Sequence, residues 1–179
     1  MSGLKARDIA FSPFSIKRAL EQSALFLNGI EVFAQGHGLI QVDRAFEHLV
    51  AYHNHQERDV RFDITIDNTG GGPPMKGIYM RDTSVLKSQE FYVNVQPIFL
   101  NNDERDADSK IKFNLHLSLA CEASWVKIPK HFNLMFMTRG FSIKVDPTQL
   151  PSGIHYAWYL KNSSFFYGFK FQILYFILV

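Results

Sequence analysis

The sequence predicts a mixed fold, with two or three helices at the N-terminal end followed by an antiparallel β-sandwich. Three observations predict it. Through about the first fifty residues apolar side chains recur every three to four positions, the spacing of amphipathic helices. From Val60 the period drops to two: Val60, Phe62, Ile64 and Ile66 alternate with Arg61, Asp63, Thr65 and Asp67, as in a strand with one wet face. More short apolar runs follow, separated by turn residues and by no helical pattern, which is the layout of a sandwich. The change of period lies between Tyr52 and Asp59. It divides the chain into one region over 1–55 and a second over 56–179.

The elements follow in order. Ser12-Pro13 opens the first helix, because serine caps and proline is tolerated where its missing N–H costs nothing. Phe14, Ile16, Ala19, Leu20, Ser23 and Ala24 form its apolar face, and Lys17, Arg18, Glu21 and Gln22 the other. Asn28-Gly29 is the expected stop. A short segment, Ile30 to Phe33, leads to Gly36-His37-Gly38, and a second helix opens over Leu39 to Asp43 with Ala45, Phe46, Leu49 and Val50 as its stripe. Beyond the first strand, Asn68 to Pro74 is a loop by composition. Ile78 to Met80 and Phe91 to Phe99 read as strands, and the charged run Asn101 to Lys110 as an exposed loop. Ile111 to Leu119, Trp125-Val126, Phe132 to Phe136, Phe141 to Val145 and Ile154 to Leu160 complete the expected strands, with Asp146-Pro147 and Ser152-Gly153 as turns.

Composition narrows the function. The 179 residues are 46% hydrophobic and 20% charged, enough to fill a core. Nineteen Lys and Arg against 17 Asp and Glu leave a formal charge of +2, which lacks the strong basic footprint of a nucleic-acid binder. One cysteine, Cys121, excludes an internal disulfide and a Cys-rich zinc site, and a lone thiol fits a reducing compartment. The opening Met1 to Lys5 has no apolar secretory core. The Phe165–Val179 run is nearly all apolar, but Gly168, Lys170 and Gln172 interrupt it short of the roughly 20 residues that a membrane span needs. It reads as an orphan, sticky strand whose removal should improve solubility.

No catalytic centre emerges from the residues. Ser2, Ser12 and Ser23 sit in no nucleophile-elbow pattern and have no spaced His and Asp partners. Cys121 ends an alternating strand and reads as a small buried hydrophobe. His48, His53 and His55 cluster without a fourth ligand at metal-site spacing, so a solvated linker is expected there and no metal. Gly70-Gly71-Gly72 lacks the Gly-Lys-Ser/Thr end of a phosphate loop. Asp103, Glu104, Asp106 and Asp108 lack the glycine and distal glutamate of a calcium loop. Trp125 and Trp158 read as core or seam aromatics rather than a sugar platform. No cofactor is expected.

The segment Ile30 to Leu49, IEVFAQGHGLIQVDRAFEHL, resembles the C-terminal end of a subtilisin-like peptidase domain. There a Gly-x-Gly turn leads into a closing helix, and Gly36, Gly38, Val42 and Ala45 match it. Glycines permit a tight turn and a small alanine permits close packing. The wider match joins Ser2 to Lys5, Ile16 to Glu21, Ile30 to Gly38, Gly77 to Asp82, Ser124 to Val126, and Val145 to Pro147 with Gly153 to Tyr156. Over about residues 1–156 the chain is similar to the tripeptidyl-peptidase II family of subtilisin-like serine peptidases, cytosolic homo-oligomers that remove tripeptides from oligopeptide N-termini. The resemblance implies that residues 1–55 are the remnant of a peptidase domain and 56–179 an immunoglobulin-like sandwich. It implies a structural-turn role for Gly36 and Gly38. It supplies no catalytic, substrate-binding or metal residue, because the family's Gly-Thr-Ser-Met nucleophile motif is absent and its Asp and His lie further upstream. After Tyr156 the Phe-rich tail departs from the family, as a truncated gene product would. The expected function is thus a part of such an enzyme, inactive alone, in the cytoplasm, with no nucleic-acid or membrane partner. The alternative is a stand-alone sandwich that binds a protein or glycan.

Overall fold

The computed structural model describes residues 2–67, 71–81, 87–100, 107–157, 159–161 and 175–178. The chain forms two units: Met1–Arg61 with Ile98–Ala107, and Phe62–Pro97 with Asp108–Val179.

The first unit carries α1 (Ser2–Ala6), α2 (Pro13–Ser23), α3 (Val32–Gln35) and α4 (Val42–Tyr52). Helix α2 starts where the sequence predicts. Ser12 is extended, its Oγ accepts the Ser15 N–H at 3.1 Å, and the Ser15 hydroxyl accepts the Ser12 N–H at 2.8 Å. This reciprocal cap satisfies two donors that the first turn leaves without partners. The helix ends at Ser23, five residues before the expected Asn28-Gly29 stop. The reason is non-local: Leu25 leaves the helix and pairs with Leu39, each N–H meeting the other's carbonyl at 2.8 Å. Gly29 (φ +81°) serves the following turn instead. The Gln35 side chain closes that loop, meeting the Leu27 N–H at 2.8 Å and the Leu27 carbonyl at 2.9 Å. Helices α2 and α4 pack on each other, with Ala19 and Ala45 buried where small side chains allow close approach. Leu4 of α1 is also fully buried.

The polar face of α2 is not all wet. Arg18 is largely withdrawn from solvent and donates to the carbonyls of Glu57 and Val60. Glu57 is only 6% exposed, although Asn54 to Gln56 just before it face water as a solvated linker would.

The second unit contains β1 (Val60–Ile66), β2 (Ile78–Met80), β3 (Gln89–Phe99), α5 (Ala107–Ile111), β4 (Asn114–Cys121), β5 (Val126–Lys127), β6 (His131–Met135), β7 (Arg139–Val145), β8 (Ile154–Ala157), β9 (Tyr159–Lys161) and β10 (Tyr175–Leu178), with β1, β3 and α5 each running across its boundary with the first unit. The described strands form three sheets, ordered β1-β3-β7-β5, β2-β10-β8 and β6-β4-β9. Strand β10 runs parallel to β2, whereas β10 on β8, β3 on β7, β5 on β7, and β4 on β6 and β9 are antiparallel. Alternation decides what is inside. Leu115, Leu117 and Leu119 of β4 are buried while Asn114, His116 and Ser118 face water; Phe91, Val93 and Val95 of β3 and Phe141, Ile143 and Val145 of β7 follow the same rule. The Phe132 and Phe141 rings meet at 4.9 Å. These are the helices and the antiparallel sandwich that the periodicities predict, the sandwich being of the immunoglobulin-like type that the resemblance implies.

Three local expectations differ. Ala107–Ile111 is a helical turn, so the strand expected from Ile111 begins at Asn114. Ile154 to Leu160 divides into β8 and β9, which join different sheets. The tail is not an orphan strand over Tyr175–Leu178: that backbone pairs with β2 on one side and β8 on the other. The rest of the Phe165–Val179 run lies outside the described residues.

Candidate functional site

The buried polar groups of the first unit are the place to look for chemistry. Ser12 Oγ, at the start of α2, donates to the Arg58 carbonyl at 3.1 Å. Six residues on, Arg18 holds the Glu57 carbonyl at 2.8 Å and the Val60 carbonyl through its second nitrogen. One turn further, Gln22 Oε1 lies 3.1 Å from His48 Nε2 on α4. The His48 ring stacks on Tyr52 at 4.5 Å, four residues along α4, and Tyr52 in turn meets His55 at 4.6 Å. Arg58 grips the Asp59 carboxylate with Nε at 3.0 Å from both oxygens, and donates to the His53 carbonyl at 3.1 Å.

The electrostatics follow from burial. Loss of water lowers Arg18 to about 10, an effect that Glu57, Asp59 and Glu21 partly offset. Burial pushes His48 down to about 4, and the nearby Arg18 and His55 add to it. The Arg58 hydrogen bonds hold Asp59 below the usual carboxylate range, and the same bonds raise Arg58. Both guanidinia bind backbone carbonyls or a carboxylate in place, so they fasten the chain and present no anion pocket.

Among the described residues no nucleophile is activated. Among the described residues no histidine pairs with a serine hydroxyl or the thiol: His48 meets Gln22, His53 the Val50 carbonyl at 2.7 Å, His116 Asn133, and His155 the Pro151 carbonyl. His37 and His55 lie 3.7 and 3.6 Å from Glu21 and Glu57. Cys121 is half-buried and burial raises its thiol, which keeps it protonated and unreactive. Among the described residues no three His, Cys, Asp or Glu gather where a metal would sit. No helix among them is long and apolar enough to cross a membrane.

Sequence reasoning mistook one member of this cluster. His48 was expected in a solvated linker with His53 and His55, yet it is 9% exposed on the face that α4 turns to α2. Its spacing was the available signal: His48 lies three residues after Ala45 and so shares its face. Gly36 and Gly38 have φ of +58° and +105°. A Cβ at Gly38 would come 2.2 Å from the Leu25 carbonyl oxygen, whereas one at Gly36 would meet nothing within 4 Å. Gly71 and Gly72 lie in an exposed turn; Gly70, Asp103, Glu104, Asp106 and Trp158 are outside the described residues, and Asp108 lies in the first turn of α5. Trp125 is half-buried, with its carbonyl accepting the Asp146 N–H at 2.8 Å.

The described elements define the class: helices followed by an antiparallel sandwich of immunoglobulin-like type. The chain belongs to the tripeptidyl-peptidase II family, whose first Ig-like domain matches residues 60–161. It is 38% identical over 157 residues to tripeptidyl-peptidase 2 of Drosophila melanogaster, a match that covers 88% of this chain and 11% of the fly protein. The Caenorhabditis elegans protein of the same name is 31% identical, with 88% of this chain and 12% of the relative covered. A crystal structure of tripeptidyl peptidase 2 superimposes with a TM-score of 0.86 at 35% identity, over 99% of this chain and 14% of that one. The chain thus spans little more than a tenth of the length of the relatives it matches.

Proposed function

We propose that this chain is a scaffolding part of a tripeptidyl-peptidase II-type enzyme and is inactive by itself. Residues 1–55 are the closing end of a peptidase domain, with Gly36 and Gly38 as its structural turn, and residues 56–179 are the sandwich that follows. The whole enzyme removes tripeptides from the free N-termini of oligopeptides in the cytoplasm, as a homo-oligomer. Its chemistry is acyl transfer by an activated serine, and the Ser–His–Asp set belongs to sequence outside these 179 residues. The single observation that carries the reading is the family match over 60–161, contiguous with a helical segment that matches the same relatives.

Leu25, Phe26, Ile30, Leu39, Ile40 and Val42 speak against a free-standing binding module. They are 40–71% exposed in one short stretch of the first unit. A monomer rarely leaves so many large apolar side chains open together.

The test is an assay of the purified chain on a tripeptide-amide reporter. The reading expects background hydrolysis only. Turnover that a serine-directed inhibitor abolishes would overturn it.

A further inference from the structure

Among the described residues of the helical unit, His48 is a buried imidazole, the side-chain type whose ordinary charge change lies nearest neutral pH. The groups that act on it directly are a neutral amide, an aromatic ring, a guanidinium and a second imidazole, with carboxylates further out. From α2 come the Gln22 amide and the Arg18 guanidinium; from α4 itself comes the Tyr52 ring; from the 53–59 segment comes His55, with Glu57 beyond it against the His55 Nδ1. With the Gln22 oxygen 3.1 Å from Nε2, the neutral ring donates that N–H, and Nδ1 holds the lone pair. The assignment of oxygen and nitrogen in Gln22 fixes this tautomer.

We propose that His48 is an acid-sensitive latch: as a neutral imidazole it closes the seam between α2, α4 and the 53–60 segment, and a proton taken up at Nδ1 opens it. The added charge would lie among buried groups beside Arg18, itself held in place by the Glu57 and Val60 carbonyls and unable to swing clear without releasing them. Opening returns the ring to water, where protonation costs nothing.

The direction follows from linkage. The folded-state pKa, about 4, is below the ordinary 6.5, so between these values the opened form binds a proton that the closed form does not. The stability of the seam is complete above about pH 6.5 and declines as pH falls toward 4, by up to roughly tenfold in the opening constant per pH unit. Asp59 does not confound this window, because its folded pKa is below the ordinary carboxylate value and its contribution is lost only in stronger acid.

Hydrogen exchange on the full chain, corrected for intrinsic rates, tests the latch between pH 7 and 4.5. Protection of α2, α4 and residues 53–60 should fall with acid, while that of β4 and β7 holds. The variant His48→Gln should remove the difference; the same acid loss in that variant would overturn the proposal. If His48→Gln does not fold, the imidazole itself is titrated by NMR in the unmutated chain. A His48 midpoint well below 6.5 supports the latch, and a midpoint at 6.5 overturns it.

Discussion

Gly36 and Gly38 share a left-handed backbone but not a fate on mutation. At Gly36 the only obstacle to a side chain is φ +58°, so Gly36→Ala should cost about 1–2 kcal/mol and Gly36→Asn less, since asparagine tolerates that region. At Gly38 a Cβ would also strike the Leu25 carbonyl, and a backbone atom cannot rotate away as a side-chain tip can. Gly38→Ala should therefore cost more than Gly36→Ala, and Gly38→Val more again, beyond the roughly 1–3 kcal/mol of the strained φ alone. Urea midpoints of the three variants give the ranking; equal values at the two glycines would mean that the Leu25 contact is absent. The Gly-x-Gly pattern was legible as a turn. Which glycine faces a carbonyl was not, because that carbonyl sits thirteen positions away on the Leu25–Leu39 bridge.

Strands were easier to read than helix ends. The alternation of β4 or β7 repeats over every second residue, so one mistaken position does not hide it. The end of α2 rests on a single event, the pairing of Leu25 with Leu39, while Ala24 to Leu27 are themselves acceptable in a helix. A similar non-local contact governs one strand pair. Gly140 of β7 is diagonal to Tyr92 of β3, and a Cβ on it would come 2.4 Å from the Tyr92 ring. The ring covers the bare backbone of the glycine. Gly140→Ala should destabilise by about 1 kcal/mol or more when Tyr92 is present, because the ring must move. In a Tyr92→Ala background the same change should be neutral or stabilising, as alanine is favoured over glycine within a strand. A double-mutant cycle measured in denaturant reads this coupling directly, and additive effects would refute it.

For the molecule as a whole, the exposed apolar stretch of the first unit sets its behaviour in solution. Leu39, Ile40 and Val42 are 56%, 59% and 71% exposed, so they add little to the stability of the isolated chain and much to its tendency to associate. Replacing Leu39 and Ile40 by lysine and Val42 by glutamate should raise the soluble monomer fraction. Light scattering and the thermal midpoint together check this, with the midpoint shifting by no more than about a degree or two if these side chains are as open as their exposure indicates.

Local pattern was enough to order helices before strands and to place most of the strands. Such properties depend on neighbours a few positions apart, and the letters carry them directly. The buried roles of Arg18 and His48 arose only on folding. Their partners stand 39 and 26 positions away; Arg18 was read from the helical wheel as polar, and His48 from its histidine neighbours as part of a linker. The tail changed its meaning for the same reason, because Tyr175–Leu178 is an orphan only until β2 and β8 are brought alongside it. Burial and hydrogen bonding are properties of what surrounds a group, and for these groups the surroundings are assembled by the fold.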